Sequence, residues 1–208
     1  MKTGPKFKIC RRLGERIFPK CQTTKFAISG TGSGSVKTGK VTGRRSRSAS
    51  DYGSQLREKQ KARYTYGINE RQFRNYVRRS RAIKASDPLA NLGRLVESRL
   101  DNVVYRLGLV PSRAFARQVV GHGHVLVNGR RLTIPSYTVS VGDVISVRTQ
   151  SRTNGVFREA AVRLKEYQPP SWLLYTADQE AKVVAPPALE EAESNLNLSA
   201  IIDFYSRV

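Results

Sequence analysis

Apolar positions recur at helical spacing between Glu97 and Val119 and alternate with polar ones just beyond. Leu100, Val103, Val104 and Leu107 commit one face of a first helix to a core. Arg99 and Arg106, seven residues apart, fall together on another side. A second helix follows Gly108 and Pro111, with Ala116, Val119 and Val120 inward while Arg113 and Arg117, at i and i+4, share a face. The run V-L-V-N-G-R-R-L-T-I then reads as a hairpin whose Asn128-Gly129 pair supplies the positive φ angles of a tight turn, and Pro135 ends its second strand. V-S-V-G-D-V-I-S-V at 139–147 adds a strand with a turn at Gly142-Asp143. Residues 94–160 therefore read as a small α+β module of two helices on a short, mostly antiparallel sheet.

Upstream, Y-G-S-Q-L-R-E-K-Q-K-A-R-Y-T-Y predicts a helix that Gly67 closes. Another starts at once, with Asn69 as N-cap, Gln72 three residues on, and Ile68 and Phe73 placed for a hydrophobic staple. Phe73, Tyr76, Val77 and Ile83 line its inner face. Arg71, Arg74, Arg78 and Arg81, spaced 3, 4 and 3, line another. A charge run on a helix is usually a solvated face, but four like charges on one stripe repel one another and call for an anion opposite. Ser86-Asp87-Pro88 breaks this helix and marks a domain boundary. Downstream, Trp172, Leu173 and Leu174 form a short apolar cluster, Pro186-Pro187 precedes a helix with Glu190, Glu191 and Glu193 in its first turns, and I-I-D-F-Y-S at 201–206 reads as a closing strand or extended segment.

Charge changes what these elements are for. The chain of 208 residues carries 37 Lys+Arg against 16 Asp+Glu, net +21. Residues 1–85 hold 23 basic and 4 acidic side chains, residues 86–168 hold 12 and 6, and residues 169–208 hold 2 and 6. So large an excess self-repels unless a polyanion neutralises it, and its asymmetry points to one surface on nucleic acid and another facing solvent or a protein neighbour. The Gly/Ser/Lys-rich run at 30–48 cannot bury enough surface to offset its ordering entropy. It reads as an extended basic arm, with a flexible linker as the alternative. No apolar run approaches the roughly 18 residues of a membrane span, and the N-terminus lacks a signal-peptide core. Two cysteines make no disulfide framework, so the chain reads as cytosolic.

Several blocks then carry a specific likeness: G-P-K-F-K-I-C-R-R-L-G at 4–14, S-D-Y-G-S-Q-L-R-E-K-Q-K at 50–61, Y-G-I-N-E-R-Q-F-R-N at 66–75, E-S-R-L-D-N-V-V-Y-R-L-G-L at 97–109, A-R-Q-V-V-G-H-G-H at 116–124, V-N-G-R-R at 127–131, I-P-S-Y at 134–137 and the closing F-Y-S-R. In this order they resemble the bacterial small-subunit ribosomal protein S-four family over nearly the whole chain. The resemblance implies a primary binder of small-subunit ribosomal RNA at a multi-helix junction of its 5′ domain, acting early in assembly. It implies ribosomal proteins S-five and S-three as neighbours, a contribution to decoding accuracy, and contact with messenger RNA along the channel by which it enters. Arg44, Arg45 and Arg47 occupy the stretch that lies along that channel. Further candidate RNA contacts are Lys6, Lys8, Arg11, Arg12, Tyr52, Gln55, Arg57, Lys59, Lys61, Arg63, His122, His124, Asn128, Arg130 and Arg131, beside the arginines already named.

The expected organisation is α+β: a basic N-terminal arm at 1–50, a mainly helical domain at 51–93 joined and completed by a C-terminal segment at 165–208, and the two-helix plus short-sheet RNA-binding module at 94–160. Other motifs point elsewhere without carrying weight. Gly34 to Lys40 satisfies G-x-x-x-x-G-K, but Val41 stands where a P-loop needs Ser or Thr for Mg²⁺. Members of the resembled family with four N-terminal cysteines bind structural zinc. Here only Cys10 and Cys21 remain, with Phe7 where a C-x-x-C partner would stand, so no metal and no cofactor is expected. His122 and His124 lack a nucleophile or an orienting carboxylate; either RNA contact or a turn role suits them. Arg99-Leu100-Asp101 matches the R-L-D signature of certain pseudouridine synthases that carry the same small module, the one serious enzyme rival. No separate catalytic domain accompanies it. The reading is a structural RNA binder, not an enzyme, with a free-standing RNA-modification or RNA-handling factor as the alternative.

Overall fold

A computed structural model of the chain describes residues 4–23, 26, 50–84, 86–164, 166–188 and 195–207. Arg44, Arg45 and Arg47, the G-x-x-x-x-G-K run and the helix expected at Glu190, Glu191 and Glu193 lie outside those residues. The chain divides into two units, residues 1–70 with 196–208, and residues 71–195.

In the first unit the segment K-F-K-I-C-R-R-L forms helix α1 (Lys6–Leu13), followed by a 3₁₀ turn at Pro19–Cys21. Cys10, Cys21 and Phe26 bury together, with Ile17 and Phe18 against them. Helix α2 (Asp51–Thr65) starts where the Ser50 Oγ accepts the Gly53 N–H at 3.2 Å. It ends at Gly67, whose φ of +62° no β-carbon favours and which lets the Ile68 N–H reach the Arg63 carbonyl. Helix α2 is polar on most of its circumference, so packing alone does not hold it. It packs on the last helix, α8 (Leu198–Arg207), with Ala62 of α2 and Ile201 and Phe204 of α8 all buried. Ion pairs do the rest: Glu70 takes Lys59 Nζ at 2.9 Å, Arg63 Nη1 at 3.1 Å and the Tyr205 hydroxyl at 2.6 Å.

In the second unit, helices α3 (Glu70–Ala82, entering from its last first-unit residue), α4 (Pro88–Glu97), α5 (Leu100–Arg106), α6 (Arg113–Gly121) and α7 (Gly155–Arg163) accompany a five-stranded antiparallel sheet. The strands are β1 (Val125–Val127), β2 (Arg130–Arg131), β3 (Val144–Val147), β4 (Leu173–Ala177) and β5 (Glu180–Val183), in the order β2-β1-β3-β5-β4. Leu100, Val103 and Val104 from α5, Leu107 at its C-cap, and Ala116, Val119 and Val120 from α6 bury in one core with Val125, Val127, Ile145, Val147, Trp172, Ala181 and Val183. At roughly 1.5–3 kcal/mol for each fully buried large aliphatic side chain, this core is the main source of the unit's stability. No helix among the described residues is long and apolar enough to cross a membrane.

The α+β class holds, but three expectations about its parts do not. The closing segment 201–206 is helical, not a strand: Ile201 and Phe204 are buried while Asp203 and Ser206 are exposed, a spacing of three that only a helix satisfies. The Trp172 cluster does not complete the helical region; it leads into β4, which pairs with β5, and β5 extends the sheet through Ile145↔Ala181. Ser86-Asp87-Pro88 is a corner inside one unit, and the division falls at Glu70/Arg71 instead. There Asp87 caps α4 by accepting the Leu89 N–H, and buried Asn91 Nδ2 donates to the carbonyls of Ser80, Ile83 and Ser86 at 3.2–3.4 Å, tying α3 to α4.

Candidate nucleic-acid interface

Helix α3 separates its residues as its spacing requires. Phe73, Tyr76, Val77 and Ser80 are buried, and Arg71, Arg74, Arg78 and Arg81 stand exposed on the opposite side. The stripe is real, and like charges at this spacing repel one another, which favours an anion opposite.

The arginines around α5 behave differently, because two buried carboxylates gather them. Arg99 is only 2% exposed: its Nε and Nη2 hold both oxygens of Asp101, at 3.0 and 2.7 Å, and its Nη1 donates to the Tyr76 hydroxyl at 2.8 Å. Burial works against its charge, yet Asp101 and Tyr76 outweigh that and raise its pKa further. Arg99 is therefore no phosphate ligand, a correction that follows from its burial. Asp101 also receives Arg117 Nε and Nη2, at 3.0 and 2.6 Å. Glu97, 1% exposed, accepts Arg106 through Nε and Nη2 at 3.0 and 2.9 Å, and Asn102 Nδ2 at 2.7 Å. Asn102 Oδ1 in turn accepts Arg113 Nε at 2.7 Å, and the Arg113 guanidinium lies 4.4 Å from the Tyr105 ring centroid. Arg106, Arg113 and Arg117 keep partial exposure, so each is aimed by a buried acceptor behind it. With Asp101 sealed at 2% exposure between two guanidiniums, the R-L-D triplet has no carboxylate to offer a substrate.

The hairpin turn forms as expected, with φ of +50° at Asn128 and +75° at Gly129. The Asn128 side chain points to the fold: Nδ2 donates to Asp143 Oδ1 and Oδ1 accepts the Val144 N–H, both at 2.8 Å. Arg130 and Arg131 are exposed beside it. His122 and His124 come together with ring centroids 6.0 Å apart: His122 ends α6, and Gly123, at φ +74°, turns the chain between them. A β-carbon on Gly123 would lie 2.0 Å from Arg131 Nε, so the guanidinium fills that gap while its Nη2 donates to the His122 carbonyl. His124 Nδ1 sits 2.9 Å from Ser151 Oγ. Burial, then His122, Arg131 and Arg148, depress the His124 pKa below its ordinary value, which favours the neutral ring in this positive corner.

In the first unit Lys6, Lys8, Arg11 and Arg12 of α1 and Tyr52 and Arg57 of α2 are exposed, whereas Gln55 is half-buried. Lys59 is buried at 6% exposure, held by Glu70 with its ammonium 4.6 Å from the Phe204 ring; it is a structural cation, a second correction. Lys61 is engaged by Glu15 at 2.6 Å and Glu58 at 2.8 Å, and these contacts outweigh burial to raise its pKa. Arg63 pairs with Glu70. Cys10 and Cys21 are free and fully buried. Among the described residues no group of three or more His, Cys, Asp or Glu is arranged to hold a metal, and Phe7 and Phe26 stack at 5.2 Å beside the thiols.

Sequence reasoning missed Glu97 and Asn102 as the anchors of Arg106 and Arg113, and Arg148 as a neighbour of the histidines. One signal was available. Glu97 and Asp101 are the only acidic residues between 88 and 142, set among basic ones, which marks them as internal partners.

Comparison with known proteins covers the same residues. Residues 1–97 match the family model described as the ribosomal protein S4/S9 N-terminal domain, and residues 98–145 match the S4 domain. A protein of Pelotomaculum thermopropionicum called small ribosomal subunit protein uS4 is 46% identical over 209 residues, 99% of this chain and 98% of its own length. Proteins of the same name from Halothermothrix orenii (44% identical, 98% of each chain) and a Roseiflexus species (50% identical, over 78% of this chain and 80% of that one) are similar as well.

Proposed function

Since the chain belongs to the uS4 family of small ribosomal subunit proteins, we propose that it is a structural, non-catalytic component of the cytoplasmic ribosome that grips a multi-helix junction in the 5′ domain of small-subunit ribosomal RNA early in assembly. The observation that carries this reading is the arginine geometry of the second unit: Arg71, Arg74, Arg78 and Arg81 on one exposed stripe, and Arg106, Arg113 and Arg117 aimed from behind by Glu97, Asn102 and Asp101. Arginine forks suit phosphate oxygens, and holding them in place beforehand reduces the ordering entropy lost on binding.

Lys6, Lys8, Arg11, Arg12, Tyr52, Arg57, His122, Arg130, Arg131 and Arg148 extend the contact set. Arg44, Arg45 and Arg47 would face messenger RNA, with the S-five and S-three proteins as neighbours and a consequent share in decoding accuracy. Recognition is mainly of folded shape, because side chains cannot read the deep major groove of A-form RNA. The test is salt-dependent binding of the full chain to the 5′ domain RNA and to an unrelated structured RNA of equal length. Tight, steeply salt-dependent binding with strong preference for the ribosomal fragment is expected. Equal affinity for both would overturn the reading in favour of a general RNA-handling factor.

A further inference from the structure

Between α1 and α2, inside the first unit, lies a cleft of about 330 Å³, of which the contact set above includes only Arg12 and Arg57. Its apolar surface comes from Ile9, Leu56 and the Tyr64 ring, and Arg12 and Arg57 stand exposed at its rim. The Lys61–Glu15 pair at 2.6 Å ties the segment just past α1 to α2 beside it. Two polar atoms of cleft-lining residues are buried without a hydrogen-bond partner: Gln60 Oε1 and Arg63 Nε. Native proteins leave few such atoms unpaired, and those they leave call for an explanation. Both residues line the cleft, and the Gln60 amide turns about a broad, two-fold torsion.

We propose that this cleft receives one unstacked base of the ribosomal RNA, seated on Ile9, Leu56 and Tyr64, hydrogen-bonded on its edge by Gln60 and Arg63, with its flanking phosphates on Arg12 and Arg57. The inference rests on the RNA-binding function proposed above and adds a contact of a different kind to it. Cavities of this size, apolar with a few convergent polar groups, suit small planar ligands. Sequence-selective RNA recognition works through splayed-out bases on aromatic side chains, paired along their edges. The Watson–Crick edge of every base carries both a donor and an acceptor, matching the unpaired acceptor of Gln60 and donor of Arg63. The charge of α1, which has four cations and no acidic residue, favours a nucleotide over a protein side chain as the occupant.

Two full-length variants test this against the 5′ domain RNA. Leu56→Trp fills the cleft; Gln60→Leu keeps the volume and removes the acceptor. Dimethyl sulfate and a carbodiimide together report the pairing edges of all four bases. Wild-type protein should protect one unpaired base that becomes reactive with either variant. Affinity should fall roughly tenfold, the loss expected for one stacked base. For Gln60→Leu, which leaves the cleft and both rim arginines in place, the log–log salt slope should stay at the wild-type value. Unchanged base reactivity, including the outcome in which a neighbouring protein's side chain is the true occupant, overturns the proposal, as does a weakened salt slope for Gln60→Leu. If Leu56→Trp loses its helical circular dichroism, Gln60→Leu decides alone by the same criteria. Wild-type protein that fails to bind the RNA overturns the ribosomal RNA reading itself and this inference with it.

Discussion

Arg117 Nη2 lies 2.6 Å from Asp101 Oδ2, the oxygen that also accepts Arg99 Nη2 at 2.7 Å. One buried carboxylate thus neutralises a sealed guanidinium and aims a half-exposed one. Asp101→Asn leaves the Arg99 charge buried with no anion, and breaking a buried pair in this way costs about 3–5 kcal/mol. Urea unfolding of the full chain should show a midpoint lowered accordingly. A midpoint within experimental error of wild type would mean that Asp101 is not the charge anchor of this unit.

At Asn128 two penalties coincide. A β-branched side chain resists the left-handed φ of +50°, and the bonds to Asp143 and the Val144 N–H disappear with the amide. Asn128→Val is expected to destabilise by about 1–3 kcal/mol, the scale of one strained backbone position, whereas Asn128→Gly should recover most of the backbone share. Thermal melting of the three proteins separates the two contributions.

Glu70 makes stability depend on acid. Its burial favours the neutral form, but the Tyr205 hydroxyl, Lys59 and Arg63 together bring its pKa below the ordinary value of 4.5. The folded pKa is therefore lower than the unfolded one. The stabilisation is fully present above the ordinary carboxylate range and is lost as pH falls through the depressed folded value. Glu70→Gln should be less stable than wild type at pH 7, and the gap should close below about pH 4.5. A gap that stays constant down to strongly acidic pH would remove Glu70 from the account.

The thiol pair should be inert in the folded protein. Burial, with Cys10 alongside, pushes the Cys21 thiol up to about 11, so little thiolate exists at neutral pH. Iodoacetamide at pH 8 should label neither cysteine at an appreciable rate in the native chain and both after denaturation. A chelator should leave the melting temperature unchanged. A chelator-induced drop would show that a metal does sit in this corner despite Phe7 and Phe26.

Much of the core was legible because its periodicity is strong. Leu100, Val103, Val104 and Leu107 lie where a 3.6-residue repeat puts them, and Asn128-Gly129 admits few conformations besides a tight turn. The α3 arginine stripe was legible for the same reason. What misled was chemistry that depends on tertiary partners. Arg99 and Lys59 look like their phosphate-facing neighbours in sequence; only the fold brings Asp101 with Tyr76 to the one and Glu70 with Phe204 to the other. Segment 201–206 has strand-like Ile, Phe and Tyr, but which of its residues are buried is decided by α2. Strands β4 and β5 were missed because their hairpin turns at Asp178-Gln179, which lacks an Asn-Gly signal, and the pairing of β5 with β3 is non-local.

The contrast between two kinds of arginine is open to direct measurement. Arg113 and Arg117 are half-exposed and held at Asn102 Oδ1 and Asp101, whereas Arg99 is sealed. Each phosphate contact removed should flatten the log–log dependence of RNA affinity on salt by about 1. Arg113→Ala and Arg117→Ala should each do so while leaving the fold intact. Arg99→Ala removes a buried charge partner of Asp101, so its effect should appear in the unfolding midpoint. Among molecules still folded, its salt slope should equal that of wild type. The two observables move independently, because one counts displaced counterions and the other the energy of a buried pair. A wild-type slope for Arg117→Ala would show that this guanidinium serves Asp101 alone, and a flattened slope for Arg99→Ala would show that the unit opens to expose it on RNA.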